Sequence, residues 1–290
     1  MADISTDIAL VIVLYNPNGE EKDNIKRVAG DFLGVIVDNS SVPTFSSDVV
    51  GKMSYVPLKY NAGIAKAQNE GIKILISTGN VRYIVFFDQD SVIPESYPYK
   101  IVSEYKRIND LMGGRLSCLG PKVCDKNDGE EYHSVIHKES PIENGFQLKS
   151  EIISSGSCVS IEKFKEVGLL DEGLFIDFVD TEWCFRSCSK GFVCGITDRV
   201  ELNHEVGKQK LHLGKHIIII SAPVRYFYQY RNFLLLAARG YVPWNFKFFK
   251  GSKFLIRWFY FPFINGGMKR WKYMNKGIIS GVRAIIKKGR

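Results

Sequence analysis

Seven consecutive apolar residues, Ile8–Leu14, followed at once by Tyr15-Asn16-Pro17-Asn18-Gly19, restrict this chain more than any other stretch. A continuous apolar run bounded by turn residues is the pattern of a strand buried on both faces. The pattern returns in Gly34–Val37, which closes on Asp38-Asn39-Ser40, and in Tyr83–Phe87, which closes on Asp88-Gln89-Asp90. Residues 20–33, with polar positions around Ile25, Val28 and Phe32, read as a helix, and Met53–Leu58 as a further short strand. Asn61 is placed as the N-cap of a second helix, in which Ile64, Ala67, Gln68, Ile72 and Leu75 keep helical spacing until Thr78-Gly79-Asn80. Doubly buried strands alternating with helices predict a doubly wound, mostly parallel α/β sheet with right-handed crossovers.

In such sheets ligands bind beyond the carboxyl ends of the strands. Asn16, Asp38 and the pair Asp88/Asp90 all fall at that edge. Two positions apart in a near-extended segment, Asp88 and Asp90 can point the same way, and paired hard oxygens suit Mg²⁺ or Mn²⁺ carrying a diphosphate. An isolated D-x-D can also simply end a strand, because Asp favours turns. No G-x-G-x-x-G follows the first strand and no G-x-x-x-x-G-K-[ST] occurs, which argues against a dinucleotide dehydrogenase and a P-loop enzyme.

The second part of the chain reads as a helix over Glu95–Asp110, an irregular connection over residues 120–150, and a strand Ile152–Ile161 kinked at Ser154-Ser155-Gly156-Ser157. Such a small-residue kink lets a ligand or a backbone approach closely. A short helix, Glu162–Val167, precedes the acid-rich stretch Phe175-Ile176-Asp177-Phe178-Val179-Asp180-Thr181-Glu182-Trp183, where Asp180 is placed to cap a helix running through Arg186. Six cysteines without a C-x-x-C pair are expected to be free thiols, and the pairs His133/His137 and His212/His216 to be surface residues.

All 31 acidic residues lie at or before Glu205, against 21 of the 39 basic ones, so the first 205 residues carry −10 and the last 85 carry +18. Between Arg225 and Tyr273 lie 18 of the 37 aromatic residues. Aromatics mixed with Lys and Arg suit a lipid headgroup zone, although single-stranded nucleic-acid platforms share that chemistry; the expectation here is a membrane surface and no nucleic acid. No run approaches the ~20 apolar residues of a span, and the first residues lack a signal-peptide pattern, so a cytoplasmic protein peripheral to the inner face of the cell membrane is expected.

Taken in order, Val11–Asn16, Val37-Asp38-Asn39-Ser40, Asn61–Ile72, Phe86–Ser91, Phe164–Asp171, Phe175–Arg186 and His204-x-x-Gly207 resemble the family-2 inverting glycosyltransferases of GT-A fold. Asp88-Gln89-Asp90-Ser91 with Phe175–Trp183 is the part similar to the bacterial rhamnosyltransferase-like group. The resemblance implies a catalytic domain over 1–207, with a nucleotide-sugar half of about 1–115 and an acceptor half of about 116–207, and a basic, aromatic, helical segment over 208–290. It implies donor contacts from Tyr15, Asn16, Asp38 (to the base), Asn61, Gly63, Asp88 and Gln89, and Mg²⁺ or Mn²⁺ held by Asp90 with His204. Inversion needs one general base beside the acceptor hydroxyl. Asp180 matches the second acid of the family's Glu-Asp pair, but Val179 replaces the first, leaving Asp177 as the second choice; Glu182 and Trp183 are expected to orient the helix and line the acceptor side. The implied reaction moves L-rhamnose from its dTDP form onto a lipid-linked saccharide of O-antigen or capsule; the alternatives are a UDP-sugar-dependent glucosyl- or galactosyltransferase of the same fold and, in another class, a non-catalytic nucleotide-sugar-binding or nucleic-acid-binding protein. Arg231-Asn232 matches a family feature to which the sequence assigns no role.

Overall fold

The computed structural model describes residues 7–125, 141–204, 210–213 and 216–288; the side chains of 124–125, 203–204, 210–213, 216–219 and 288 are outside that description. The chain forms two compact units. The first comprises Met1–Cys124, Glu139–Phe175 and Val179–His204; the second comprises Asp125–Lys138, Ile176–Phe178 and Glu205–Arg290.

In the first unit β1 (Ile8–Leu14), β2 (Gly34–Asp38), β3 (Val49–Val50), β4 (Met53–Pro57), β5 (Tyr83–Asp88), β6 (Leu116–Asp125), β7 (Phe146–Leu148), β8 (Cys158–Ser160) and β9 (Val193–His204) build one sheet. Their order is β3-β4-β2-β1-β5-β8-β6-β9-β7. Strands β4, β2, β1 and β5 are mutually parallel. Beyond β5 the described pairings, β5 with β8, β6 with β8 and β7 with β9, are antiparallel. The doubly wound region is therefore the half around β1; of the stretch over 120–150, expected to be an irregular connection, the described ends supply the end of β6 and β7, and residues 126–140 lie outside the described residues.

Continuous apolar strands are explained by two cores. Leu10, Ile12 and Leu14 of β1 pack with α1 (Gly19–Asp31) and α3 (Tyr97–Leu111) through Ile25, Val28 and Ile101. Ala9, Val11 and Val13 face the opposite layer, where α2 (Ile64–Thr78), α4 (Ile161–Val167) and α5 (Val179–Ser189) contribute Ala67, Ile72, Phe164 and Trp183. Helix α1 starts at a capping box in which Asn18 Oδ1 accepts from Glu21 N and Glu21 Oε2 accepts from Asn18 N. The five described cysteines are free thiols.

The second unit holds a hairpin, β10 (Lys210–Leu213) with β11 (His216–Ile219), and three helices, α6 (Pro223–Ala237), α7 (Trp244–Tyr260) and α8 (Gly267–Lys288). Its core is aromatic: Tyr226, Tyr230, Phe254 and Phe261 with Met274. Tyr230 stacks on Phe254 at 4.8 Å and donates its hydroxyl to the Phe254 carbonyl at 2.7 Å, which satisfies the polar tip of a buried ring. Gly277 and Gly281 let α8 approach the α6 backbone at Phe227 and Arg231. No described helix is long and apolar enough to cross a membrane. The side chains of His212 and His216, and all of His133 and His137, lie outside the described residues.

Candidate active site

Strand register gathers the polar ends. Leu14 pairs with Asp38, Val13 with Asp88 and Asp38 with Pro57, so the four parallel strands end at nearly one level. Strand β1 lies between β2 and β5, where the winding reverses, and that is the ligand-binding position of an open α/β sheet.

The β5 end does not continue extended. Ser91 N donates to Asp88 O at 3.1 Å, closing a tight turn with Gln89 and Asp90 at its tip. Gln89 is drawn away from its neighbours: its Oε1 accepts from Tyr15 N at 2.6 Å and its Nε2 donates to Glu21 Oε2 at 3.0 Å. One side chain thus ties the β1 loop, the start of α1 and the β5 turn together. The Tyr15 ring stays half exposed, and Asn16 adopts a positive φ of 47° with its N–H donating to Ser40 Oγ at 2.7 Å. Glu21 and Ser40 are members of this cluster that the sequence reading passes over; the spacing Asn18-x-x-Glu21, a capping-box signature directly after a buried strand, is the signal that finds the first of them.

Asp38 departs from expectation. It is 0% exposed, and its carboxylate accepts from Ser40 N (2.9 Å), Thr44 N (2.7 Å) and the Tyr55 hydroxyl (2.6 Å). Burial alone would raise its pKa, but hydrogen bonds from Ser40, Tyr55 and Thr44 outweigh burial and hold the carboxyl below its ordinary value. Burial and the same contact push the Tyr55 hydroxyl up to about 12. The carboxylate shapes the loop after β2. A depressed folded pKa stabilises above the unfolded value, about 3.9, and that contribution is lost as pH falls through the folded pKa. Asp38→Asn should therefore cost about 1–3 kcal/mol at neutral pH, a gap that narrows below about pH 4 in urea unfolding.

Asn61 is not the cap of α2 either. Gly63 occupies that position, at φ 85°, and makes no side-chain cap bond. Asn61 Oδ1 instead accepts from Gly63 N and from Asn39 Nδ2, while Asn39 Oδ1 accepts from Ala62 N at 2.6 Å, so β2 is laced to the α2 approach. A Cβ on Gly63 would stand 2.6 Å from both the ring and the carbonyl of Phe175; only glycine fits there. The expected kink near residue 156 is present, with Gly156 at φ 76° and its carbonyl accepting from the Tyr97 hydroxyl.

Helix α5 starts at Val179, so Asp180 sits within its first turn, where the helix dipole favours a carboxylate, and is not the cap. Asp180 lines a cavity of about 30 Å³ together with Gln68, Phe86, Ser154, Ser157 and Trp183. That volume admits a water molecule. The helix itself is clasped from one side. Arg186 donates to Val167 O and Leu169 O, and the Trp183 indole to Gly168 O, each at 2.7 Å, so three consecutive carbonyls are held by α5 side chains. Arg186 also bonds both oxygens of Glu182, which is 1% exposed. Glu182 and Trp183 thereby orient the helix.

Asp177 belongs to the second unit. Both of its oxygens accept from Arg225, and its carbonyl and that of Ile176 accept from Asn232 Nδ2 at 3.0 and 2.8 Å. Asn232 is fully buried and its Oδ1 accepts from Arg231 Nε, so Arg231-Asn232 secures this turn. Asp177 and Phe178 both take positive φ, 65° and 66°, and the Phe178 ring packs against Phe246 and Phe254. His204 ends β9, and its side chain lies outside the described residues.

The first unit thus presents a parallel switch-point sheet continued by antiparallel strands, with an acidic turn at the β5 edge and a carboxylate on the first turn of α5. No family model matches the chain. It is 34% identical over 254 residues, 83% of either chain, to the dTDP-rhamnosyl transferase RfbF of Shigella flexneri. It is 22% identical over 215 residues, 68% of this chain and 67% of the relative, to the low-salt glycan biosynthesis hexosyltransferase Agl10 of Haloferax volcanii. The crystal structure of GalNAc-T7 with UDP, GalNAc and Mn²⁺ superposes with a TM-score of 0.50 at 13% identity, over 70% of this chain and 44% of that protein, a likeness of fold. The chain belongs to the bacterial rhamnosyltransferase-like glycosyltransferases.

Proposed function

We propose that the protein transfers L-rhamnose from dTDP-rhamnose, with inversion, onto a lipid-linked saccharide during assembly of a bacterial surface polysaccharide. The observation that carries the reading is the Asp88–Ser91 turn at the carboxyl edge of β5, in the same unit as Asp180. The RfbF relative supports the donor, since its name specifies a dTDP-rhamnosyl transfer.

In this mechanism the Tyr15 ring, half exposed at the mouth, offers a stacking face for the pyrimidine, and Asn16, Asn61 and Gln89 frame the nucleotide side. Asp180 accepts the proton of the acceptor hydroxyl as its oxygen forms a bond to the anomeric carbon, opposite the departing dTDP, so the configuration inverts. Asp177 has both oxygens engaged by Arg225, which favours Asp180 for this role. Asp90 is the carboxylate that would hold Mg²⁺ or Mn²⁺, with His204, while Asp88 would contact the sugar or ribose of the donor. A hard carboxylate exposed at the tip of the β5 turn fits an ion whose remaining ligands are diphosphate oxygens and water. Such an ion would neutralise charge gathering on the leaving diphosphate. The lipid-linked acceptor requires work at the inner membrane face, which the basic second unit supports.

The test is release of nucleoside diphosphate by purified protein across dTDP-rhamnose and UDP-hexoses, with and without Mn²⁺ or Mg²⁺. Turnover is expected with dTDP-rhamnose and metal, and Asp90→Ala should lower it by about a hundredfold or more while weakening metal-dependent nucleotide binding. Turnover of a UDP-hexose alone would move the assignment to the alternative donor, and turnover unaffected by chelation would remove the metal.

A further inference from the structure

Helix α7 is apolar on two opposite sides. Phe246 and Phe254 are buried and pack against Phe233 in the aromatic core of the second unit. At 100° per residue, Phe248, Phe249, Leu255, Ile256 and Phe259 fall on the other side, and all five are between 50% and 64% exposed. Trp244 at one end and Phe263 just past the other are 76% and 88% exposed. Single exposed apolar side chains are ordinary on soluble proteins, but a continuous stripe of this size marks an interaction surface.

Charge decides between occupants. From residue 206 onward the chain holds 18 Lys or Arg and no Asp or Glu, and Lys253, Lys269, Lys272 and Lys276 are exposed on α7 and α8. A second copy docking through the same stripe would bring the same positive field against it, whereas an anionic bilayer supplies negative charge at its surface and hydrocarbon beneath. The 17 residues of α7, about 25 Å long, include four basic ones and do not make a span. We infer that the outer face of α7 is a bilayer-docking surface: the helix lies in the membrane plane, Phe248, Leu255 and Phe259 entering the acyl boundary and the lysines facing headgroups. This stands on the second unit alone and does not depend on the donor or the base assigned above.

Co-sedimentation of the full chain with phosphatidylcholine vesicles containing about one-third phosphatidylglycerol tests it. Wild type should bind, less tightly as salt rises. Phe248→Ser/Leu255→Ser/Phe259→Ser should lose about a hundredfold or more in vesicle affinity with an unchanged melting temperature and unchanged turnover of a water-soluble acceptor, because all three side chains are exposed. Lys269→Glu/Lys272→Glu should weaken binding to anionic vesicles and leave neutral ones unaffected. The inference falls if wild type does not bind, if the triple variant binds like wild type, or if wild type is a dimer that the triple variant converts to monomer. A wild type that docks yet turns over no sugar nucleotide would defeat the catalytic reading and leave this one intact.

Discussion

Asp180→Asn should abolish most transfer, lowering kcat by about a thousandfold while donor affinity stays within about twofold. The asparagine keeps the side-chain oxygen that accepts from Thr181 N at 2.8 Å, while the capacity to take a proton is removed. Asp177→Asn is the control. That residue is engaged by Arg225 and its own turn is held through backbone carbonyls by Asn232, so its loss should move kcat less than about tenfold. Steady-state kinetics on both variants, with nucleotide titration for affinity, separates the two carboxylates; an inactive Asp177 variant beside an active Asp180 variant would exchange their roles.

The largest effect on stability is expected from Arg186→Met. Glu182 is 1% exposed and bonded through both oxygens to this guanidinium, so the substitution leaves a buried charge without its partner. Breaking such a pair from one side costs about 3–5 kcal/mol. Two carbonyls, of Val167 and Leu169, lose their donor as well. Urea unfolding should show the full loss in Arg186→Met, and Glu182→Gln/Arg186→Met should recover part of it because no charge remains buried. Equal destabilisation of the single and double variants would mean that the carbonyl contacts, and not the ion pair, dominate.

The parallel half of the fold was legible because its strands are continuous apolar runs with acids at their ends, and burial on both faces leaves no other reading. The β5 acids follow from the same logic. What stayed hidden depended on partners distant in sequence. Asp38 looks like an edge carboxylate until Tyr55, 17 positions on, and Thr44 close over it. Asn61 has the composition of a cap, but its oxygen is taken by Asn39 and Gly63. The positive φ values at Phe175, Asp177 and Phe178 have no glycine to announce them, and the purpose of Asn232 becomes visible only once Ile176 and Asp177 are seen beneath it. The antiparallel half was obscured because Ser154–Ser157 interrupts the apolar run before β8.

The close approach at Gly63 has a mechanical meaning. Phe175, three residues from the end of the acceptor-side loop that leads to α5, rests where a side chain on Gly63 would be, and its carbonyl accepts from Ala65 N. Asn69, further along α2, donates to Leu170 O and Glu172 Oε1 and accepts from Leu170 N. The division near residue 115 therefore separates two stretches of sequence but not two moving parts. A shift of the Asn61–Gly63 bend by a fraction of an ångström therefore carries the Leu170–Phe175 loop with it, because packed backbone joins the two without a hinge between them.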